Sequence, residues 1–376
     1  MSGFPNAALP YSLSANFMGV QTFSLSPSHM TVTQKEFAHD ITVLNMWADD
    51  VNADSYQSGM PMSLTWGRPL SKRTFYGYVN HAQRITNTLS GAARTARNSV
   101  TVTCVGASWL MNQPGTTVWR SQTADQIVAA IADIFGLSTD ILPHPTVWPD
   151  IPMAGRSYWQ FCVMLAKRVG YTFYCSGTQL VFKPRQVNPL NLTAPVTIYD
   201  FKRSPSEFPI FSPVLGVNNP SGGQLVNRLA ANVDPRTEQT VYSAQVGTPT
   251  PTRLGNVVDS PIFNRTEHFT VDSQTQSDAK IVGSAQSNQM YLTASAKMVG
   301  NPRTSQGSLI FTSNANGSQN GLWFVSEATH TIDSDTYSMD LCLGRDSMGA
   351  TNNIFSQPQT TLPTGTKLSG SNWVSA

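Results

Sequence analysis

The sequence predicts a mainly β protein with an α+β insert, in which two tube-like β-barrel domains flank a two-helix-plus-hairpin domain. Three observations lead there. Short runs rich in β-branched and aromatic residues recur towards both ends of the chain, helical periodicity concentrates between residues 123 and 170, and a two-strand pattern follows at once.

Residues 1–108 read as the first β-barrel domain. Runs at 31–32, 40–47, 62–66, 75–85 and 100–105 alternate or are β-branched, and turn residues such as Ser58-Gly59 and Gly67 separate them. Several short strands at such spacing suggest a sandwich or a barrel.

Residues 109–203 form the α+β domain. In TADQIVAAIADIFG, Thr123 and Gln126 can cap each other, Ile127, Ala130, Ile131, Ile134 and Phe135 form an apolar stripe, and Gly136 supplies a left-handed stop. The second helix repeats the device with Ser157 and Gln160, then Phe161, Leu165 and Val169, then Gly170. Runs 171–175 and 179–183 alternate about Ser176-Gly177, a hairpin signal.

Residues 204–345 read as the second β-barrel domain, with inserted Pro- and Gly-rich loops and one helix. That helix is predicted over 277–288, with Ser277 as cap and Ala279, Val282, Ala285 and Gln286 facing inward, although Gly283 weakens it by ~1 kcal/mol relative to Ala. Strands follow at 290–298, 308–312, 322–331 and 337–343. Residues 346–376 are rich in Ser, Thr, Gly, Pro and Asn and read as a tail, disordered or ordered on a partner.

A diffuse internal repeat links the two β-regions. SLTWG at 63–67 parallels SLIFT at 308–312, Val79-Asn80-His81-Ala82 parallels Val325-Ser326-Glu327-Ala328, and Cys104-Val105-Gly106 parallels Cys342-Leu343-Gly344. The excess length of the first copy falls in the loop 86–99, where insertions cost little. Chance likeness between amphipathic strands is the competing explanation. If the repeat holds, three chains about a threefold axis would present six similar units.

Charged residues are 12% of the chain, about half the roughly 25% of an average soluble domain. Interface cores are depleted in Lys, Glu and Asp, so low charge fits a chain that buries much of its surface on partners. A net charge of +2 gives no basis for nucleic-acid or membrane-surface binding over the whole molecule. Arg68, Lys72, Arg73 and Arg84, Arg94, Arg97 make the N-terminal third locally basic, as a solvated loop face or towards an acidic neighbouring subunit.

No stretch approaches the ~18–20 apolar residues of a membrane span, and the N-terminus lacks a signal-peptide pattern, so synthesis in a cytosol and no membrane insertion are expected. Cys104, Cys162, Cys175 and Cys342 are isolated and read as buried free thiols, with no metal site. There is no G-x-S-x-G, H-E-x-x-H or P-loop. His330 ends a strand without Cys or carboxylate at ligand spacing and reads as a hydrogen-bonded structural histidine. The expectation is a non-enzyme without cofactor. Candidate interface residues are Trp109 and Trp119, which flank Pro114-Gly115, with Arg94, Arg97 and the tail residue Trp373.

Several motifs, in order, resemble the baseplate-hub proteins of tailed bacteriophages, the late-control-D family, and their relatives in type VI secretion spikes. They are Trp66-Gly67 with Phe75-Tyr76-Gly77-Tyr78-Val79; Tyr158-Trp159-Gln160-Phe161 with Leu165-Ala166 and Gly170-Tyr171-Thr172-Phe173; and Ala296, Val299-Gly300-Asn301-Pro302, Gly307, Gly321, Trp323, Val325 and His330. The resemblance spans roughly residues 31–345. It implies a homotrimeric ring adapting a sixfold tail tube, or distal tail protein, to a threefold central spike. It further implies a lumen that carries the tape-measure protein and then DNA during ejection, without specific DNA binding, in a virion baseplate assembled in the bacterial cytoplasm. No spike domain is fused, so the spike is expected to be a separate protein that the tail 346–376 could engage. Two alternatives stay open: a receptor- or glycan-binding tail module using loops such as 314–320, and a cell-wall hydrolase whose two carboxylates converge only in the fold.

Overall fold

The computed structural model describes residues 12–18, 22–25, 27–47, 55–68, 71–86, 98–185, 197–200, 216–218, 226–233, 238, 240–245, 263–267, 273–288, 290, 292–313, 320–333, 336–346, 366–369 and 372–375. The N-terminal region supplies β1 (Ser12–Met18), β2 (Thr22–Leu25), β3 (His29–Lys35), β4 (Ile41–Trp47), β5 (Pro61–Arg68), β6 (Ser71–Thr86) and β7 (Asn98–Gly106). The middle unit contains β8 (Val118–Thr123), α1 (Ala124–Ile134), β9 (Ser138–Ile141), β10 (Val147–Pro152), α2 (Tyr158–Val169), β11 (Tyr171–Ser176) and β12 (Gln179–Pro184). Then come β13 (Thr197–Asp200), β14 (Gly216–Asn218), β15 (Val226–Val233), β16 (Thr240–Gln245), β17 (Phe263–Glu267) and α3 (Gln274–Ser287). The last elements are β18 (Leu292–Val299), β19 (Leu309–Ser313), β20 (Gly321–Ile332), β21 (Tyr337–Arg345), β22 (Thr366–Ser369) and β23 (Asn372–Ser375).

The protein is mainly β with the α+β unit inserted, and its strands are largely antiparallel. Both β-regions join one sheet, in the order β14-β18-β21-β20-β3-β4-β7-β6-β5-β1-β2, with β19 on β20 and β13 on β19. The joint is the antiparallel pair β20–β3, from Glu327 opposite Lys35 to Ile332 opposite Met30. The strand path is open, and among the described residues no pairing closes either region into a separate barrel.

The helix signals act largely as the sequence indicates, except that Thr123 Oγ1 is buried without a partner, which leaves the first capping box half made, and Ile134 of the expected stripe is exposed. Gln126 accepts from the Thr123 amide at 3.1 Å, and Ser157 and Gln160 cap α2 reciprocally. Gly170 takes φ +74° as the α2 cap. Ile127, Ile131, Phe161, Leu165 and Val169 are buried in one core with Phe173 and Phe182 of the hairpin, which burial of each helix's apolar stripe requires. The hairpin turn falls one residue later than the sequence suggests, because Ser176 pairs with Gln179 and leaves Gly177, at φ +63°, and Thr178 at the tip.

α3 begins earlier than expected. Ser273, not Ser277, caps it by accepting from Gln276 N, and Ser277 is buried on Ser243. Gly283 has a packing role, since a Cβ there would lie 2.0 Å from the Arg168 carbonyl oxygen. Its missing side chain lets α3 lie against the end of α2.

The repeat is present in the backbone, with a corrected register. Val79 donates to Met60 O and accepts from Gly59 N; Val325 donates to Ser308 O and accepts from Gly307 N. Gly59 and Gly307 have φ of +83° and +79°, and the turns close alike, Met60 N on Gln57 O and Ser308 N on Ser305 O. A β-bulge follows in both copies, between Val79 and His81 and between Val325 and Glu327. The bulges set Val79 equivalent to Val325, as the sequence alignment has it. They shift its outer blocks: Met60, not Ser63, matches Ser308, and Cys104 matches Leu343 rather than Cys342. Period-two strands look alike at several offsets, and only turn and bulge hydrogen bonds fix one of them.

Candidate functional site

The described residues present an anchor that holds the units together and strand edges that it leaves open. Three polar clusters build the anchor. In the first, the turn after β3 places Glu36 against the end of the hairpin. Arg185 approaches Glu36 side-on, Nε to Oε1 and Nη2 to Oε2, both at 3.2 Å, and Thr172 donates to the same carboxylate. Arg185 also donates from Nη1 to the carbonyls of Gln286 and Ser287 at the end of α3, where a cation suits the helix dipole. Sheet, hairpin and third helix thus meet on one guanidinium. The neighbouring Phe37 holds φ +61° while its amide donates to Phe173 O, so the turn is pinned to the middle unit.

The second cluster surrounds Asp40. Its carboxylate accepts from Gln34 Nε2 at 3.1 Å and Gln306 Nε2 at 3.2 Å, and Gln306 also donates to Cys175 O. Burial pushes the Asp40 carboxyl up to about 7, against the opposing effect of Gln34, Arg73 and Gln306. Gln34 Oε1 and Gln306 Oε1 are buried without a partner. Turning the Gln34 amide about would present an acceptor to a protonated Asp40, whereas Gln306 is held in place by its bond to Cys175 O. Arg73 is not the solvated loop cation expected from sequence: it reaches Pro302 O and Ser176 Oγ and ties β6 to the hairpin.

The third cluster is a directed chain. Trp66 Nε1 donates to Tyr337 Oη, Tyr337 lies 3.0 Å from His330 Nδ1, and His330 Nε2 lies 3.0 Å from Thr304 O. A carbonyl only accepts, so the proton sits on Nε2 and Tyr337 donates to Nδ1. Burial, then the Arg73 charge, lowers His330 to about 3, which keeps it neutral. His330 is the hydrogen-bonded structural histidine that the sequence indicates.

Several backbone edges are open among the described residues, the far sides of β2 and β13 included, and two of them belong to the repeated strands. One is β6 beyond its pairing with β5, from His81 to Thr86; the other is the far side of β14.

The expected interface residues are dispersed. Trp109 lies half-buried on a 3₁₀ turn with its ring 6.4 Å from Tyr78. Trp119, on β8, packs against the middle core with its ring N–H buried and without a partner. Trp373 lies on β23 in the small hairpin with β22, Trp373 opposite Leu368, whereas Arg94 and Arg97 lie outside the described residues, as does the loop 314–319. All four cysteines are free; Cys104, Cys162 and Cys175 are buried, but Cys342 is exposed because it occupies an outward position of β21. Among the described residues no group of three or more His, Cys, Asp or Glu could hold a metal, and no helix is long and apolar enough to cross a membrane. Sequence reading missed Glu36, Asp40, Gln306 and Arg185, because each is defined by a partner far away in the chain.

No family model matches the chain, and no curated protein is similar to it in sequence. Solved structures do match. The chain is similar to the tail protein of Neisseria meningitidis MC58, at 12% identity and TM-score 0.62, over 89% of this chain and 97% of that one. It is similar to the 43 kDa tail protein of prophage MuSo2 from Shewanella oneidensis, at 12% identity and TM-score 0.59, over 90% and 100%. A third match is an Escherichia coli type VI secretion component described as structurally similar to the T4 bacteriophage tail proteins gp27 and gp5, at 8% identity and TM-score 0.56, over 89% and 77%. The chain therefore has the fold of phage tail proteins, shared with a secretion-system component.

Proposed function

We propose that this chain is a structural, non-enzymatic baseplate hub of a phage tail, acting as a homotrimeric ring. The observation that carries the reading is the backbone repeat: each chain holds two equivalent turn–strand–bulge units in one sheet. Three copies would offer six such units to a sixfold tail tube or distal tail protein and a threefold face to a separate central spike. The tape-measure protein and then DNA would pass through the ring's lumen. Likeness in fold to phage tail proteins supports the same reading. So does a charge content of 12%, which suits a chain that buries much of its outside in an assembly.

Among the expected contact residues, Trp119 offers the uncovered part of a ring that packs on the middle core, and Trp109 marks the junction between sheet and helical unit. Arg94, Arg97 and Trp373 are proposed as further contacts, the last towards the spike. Electron microscopy of the purified protein tests the ring. Class averages with threefold symmetry and a central opening are expected; single compact particles would refute it.

A further inference from the structure

The repeat relates more than the two bulges. Carried outward through the strand pairs, it makes β20 equivalent to β6, β21 to β7, β18 to β4 and β14 to β3. The first step sets Glu327 equivalent to His81 and Ile332 to Thr86. The hairpins then end in step, Ile332 opposite Tyr337 and Thr86 opposite Asn98. Val217 pairs with Ala294 as Val32 pairs with Thr42, which sets Gly216, Val217 and Asn218 equivalent to Thr31, Val32 and Thr33. Burial keeps the same phase, since Ala294, Ala296 and Met298 are inside, as are Thr42, Leu44 and Met46.

One relation within the chain then lacks its counterpart. In the second copy, Glu327 to Ile332 of β20 is covered by β3, and Ala328 and His330 are fully buried there. In the first copy, the equivalent stretch of β6 has no strand on that side among the described residues, and Arg84, at the position of His330, is exposed. The strand equivalent to β3 is β14, whose far edge is open among the described residues. An uncovered edge invites pairing, and these two edges belong to opposite ends of the repeat.

Resting on the ring reading above, we propose that β6 of one copy pairs antiparallel with β14 of the next, reproducing between chains the β20–β3 joint found within one. The register follows from that joint: Gln83 opposite Asn218, Arg84 opposite Val217 and Ile85 opposite Gly216 of the next copy. The contact is head-to-tail, which builds a closed ring when its rotation closes.

Cysteines at Gln83 and Asn218 test the register, because their counterparts Thr329 and Thr33 have side-chain oxygens 3.2 Å apart. In a Cys342→Ser background, which removes the exposed native thiol, oxidised Gln83→Cys/Asn218→Cys should lose most of its monomer band on a non-reducing gel. Thiol-reversible dimers and trimers should replace it. The slipped pair Arg84→Cys/Asn218→Cys should stay monomeric on the gel. A trimer by solution mass without that bond, or with equal bonding in the slipped pair, overturns the joint and leaves the ring standing. A monomer removes both. Hydrogen exchange on the unaltered protein is the second readout: slow exchange in the trimer of those residue 81–86 amides that point away from β7 supports the joint, and fast exchange of them contradicts it.

Discussion

Trp66 in β5 donates its indole N–H to the hydroxyl of Tyr337 in β21, 3.2 Å away and 271 positions along the chain. The bond ties the two β-regions together through one fully ordered polar chain ending at Thr304 O. Tyr337→Phe would strand both the Trp66 N–H and His330 Nδ1, at a cost of about 2–4 kcal/mol, whereas Trp66→Phe removes one donor and costs about 1 kcal/mol beyond lost packing. A double-mutant cycle by denaturant unfolding should show non-additive losses. Additive losses would mean that the chain does not act as a unit.

Arg185 and Glu36 are 9% and 6% exposed at the side chain, so each is held only by its partners. Glu36→Gln should destabilise by about 3–5 kcal/mol, because the guanidinium stays buried without its counter-charge. Replacing both, as Glu36→Gln/Arg185→Met, should cost less than Glu36→Gln alone. Thermal unfolding of the three proteins checks the order.

Gly283→Ala should destabilise, against the usual preference for Ala in helices. The gain of ~1 kcal/mol in helix propensity is outweighed by about 1–3 kcal/mol of overpacking against the Arg168 carbonyl. A lowered melting temperature is expected. A raised one would show that α3 does not lie on α2.

These cases separate what the residues announce from what they conceal. Helix caps and stripes were legible because their signals are local: Ser157 with Gln160, Gly170, and the apolar run Phe161, Leu165, Val169. The strand-rich ends were legible too, although β1, β2, β13, β15 and β17 were not among the expected strands, nor were β8, β9 and β10 of the middle unit. Long-range facts were not legible. Nothing local to Arg185 indicates Glu36, nor does Gly283 name the helix it touches. The repeat showed in side chains, but its register needed the hydrogen bonds of Val79 and Val325.

Asp40 and His330 pull stability in opposite directions with pH. Burial raises Asp40 from 3.8 to about 7, so its contribution is full below pH 3.8 and is lost as pH rises to 7. Burial lowers His330 from 6.5 to about 3, so its contribution is full above pH 6.5 and is lost as pH falls to 3. His39 and His144, also lowered by burial, add to the loss in acid. Relative to the parent, Asp40→Asn should therefore gain stability between pH 4 and pH 7, by up to about 1.4 kcal/mol per unit. His330→Gln should gain relative to the parent as pH falls through the same range. Unfolding free energies at pH 4.5, 5.5 and 6.5 decide it; parallel profiles would contradict the assignment.

Solution mass tests the ring most directly. Light scattering on the purified chain at micromolar concentration should return three times the 40.9 kDa of one copy. A stable monomer under those conditions would contradict it.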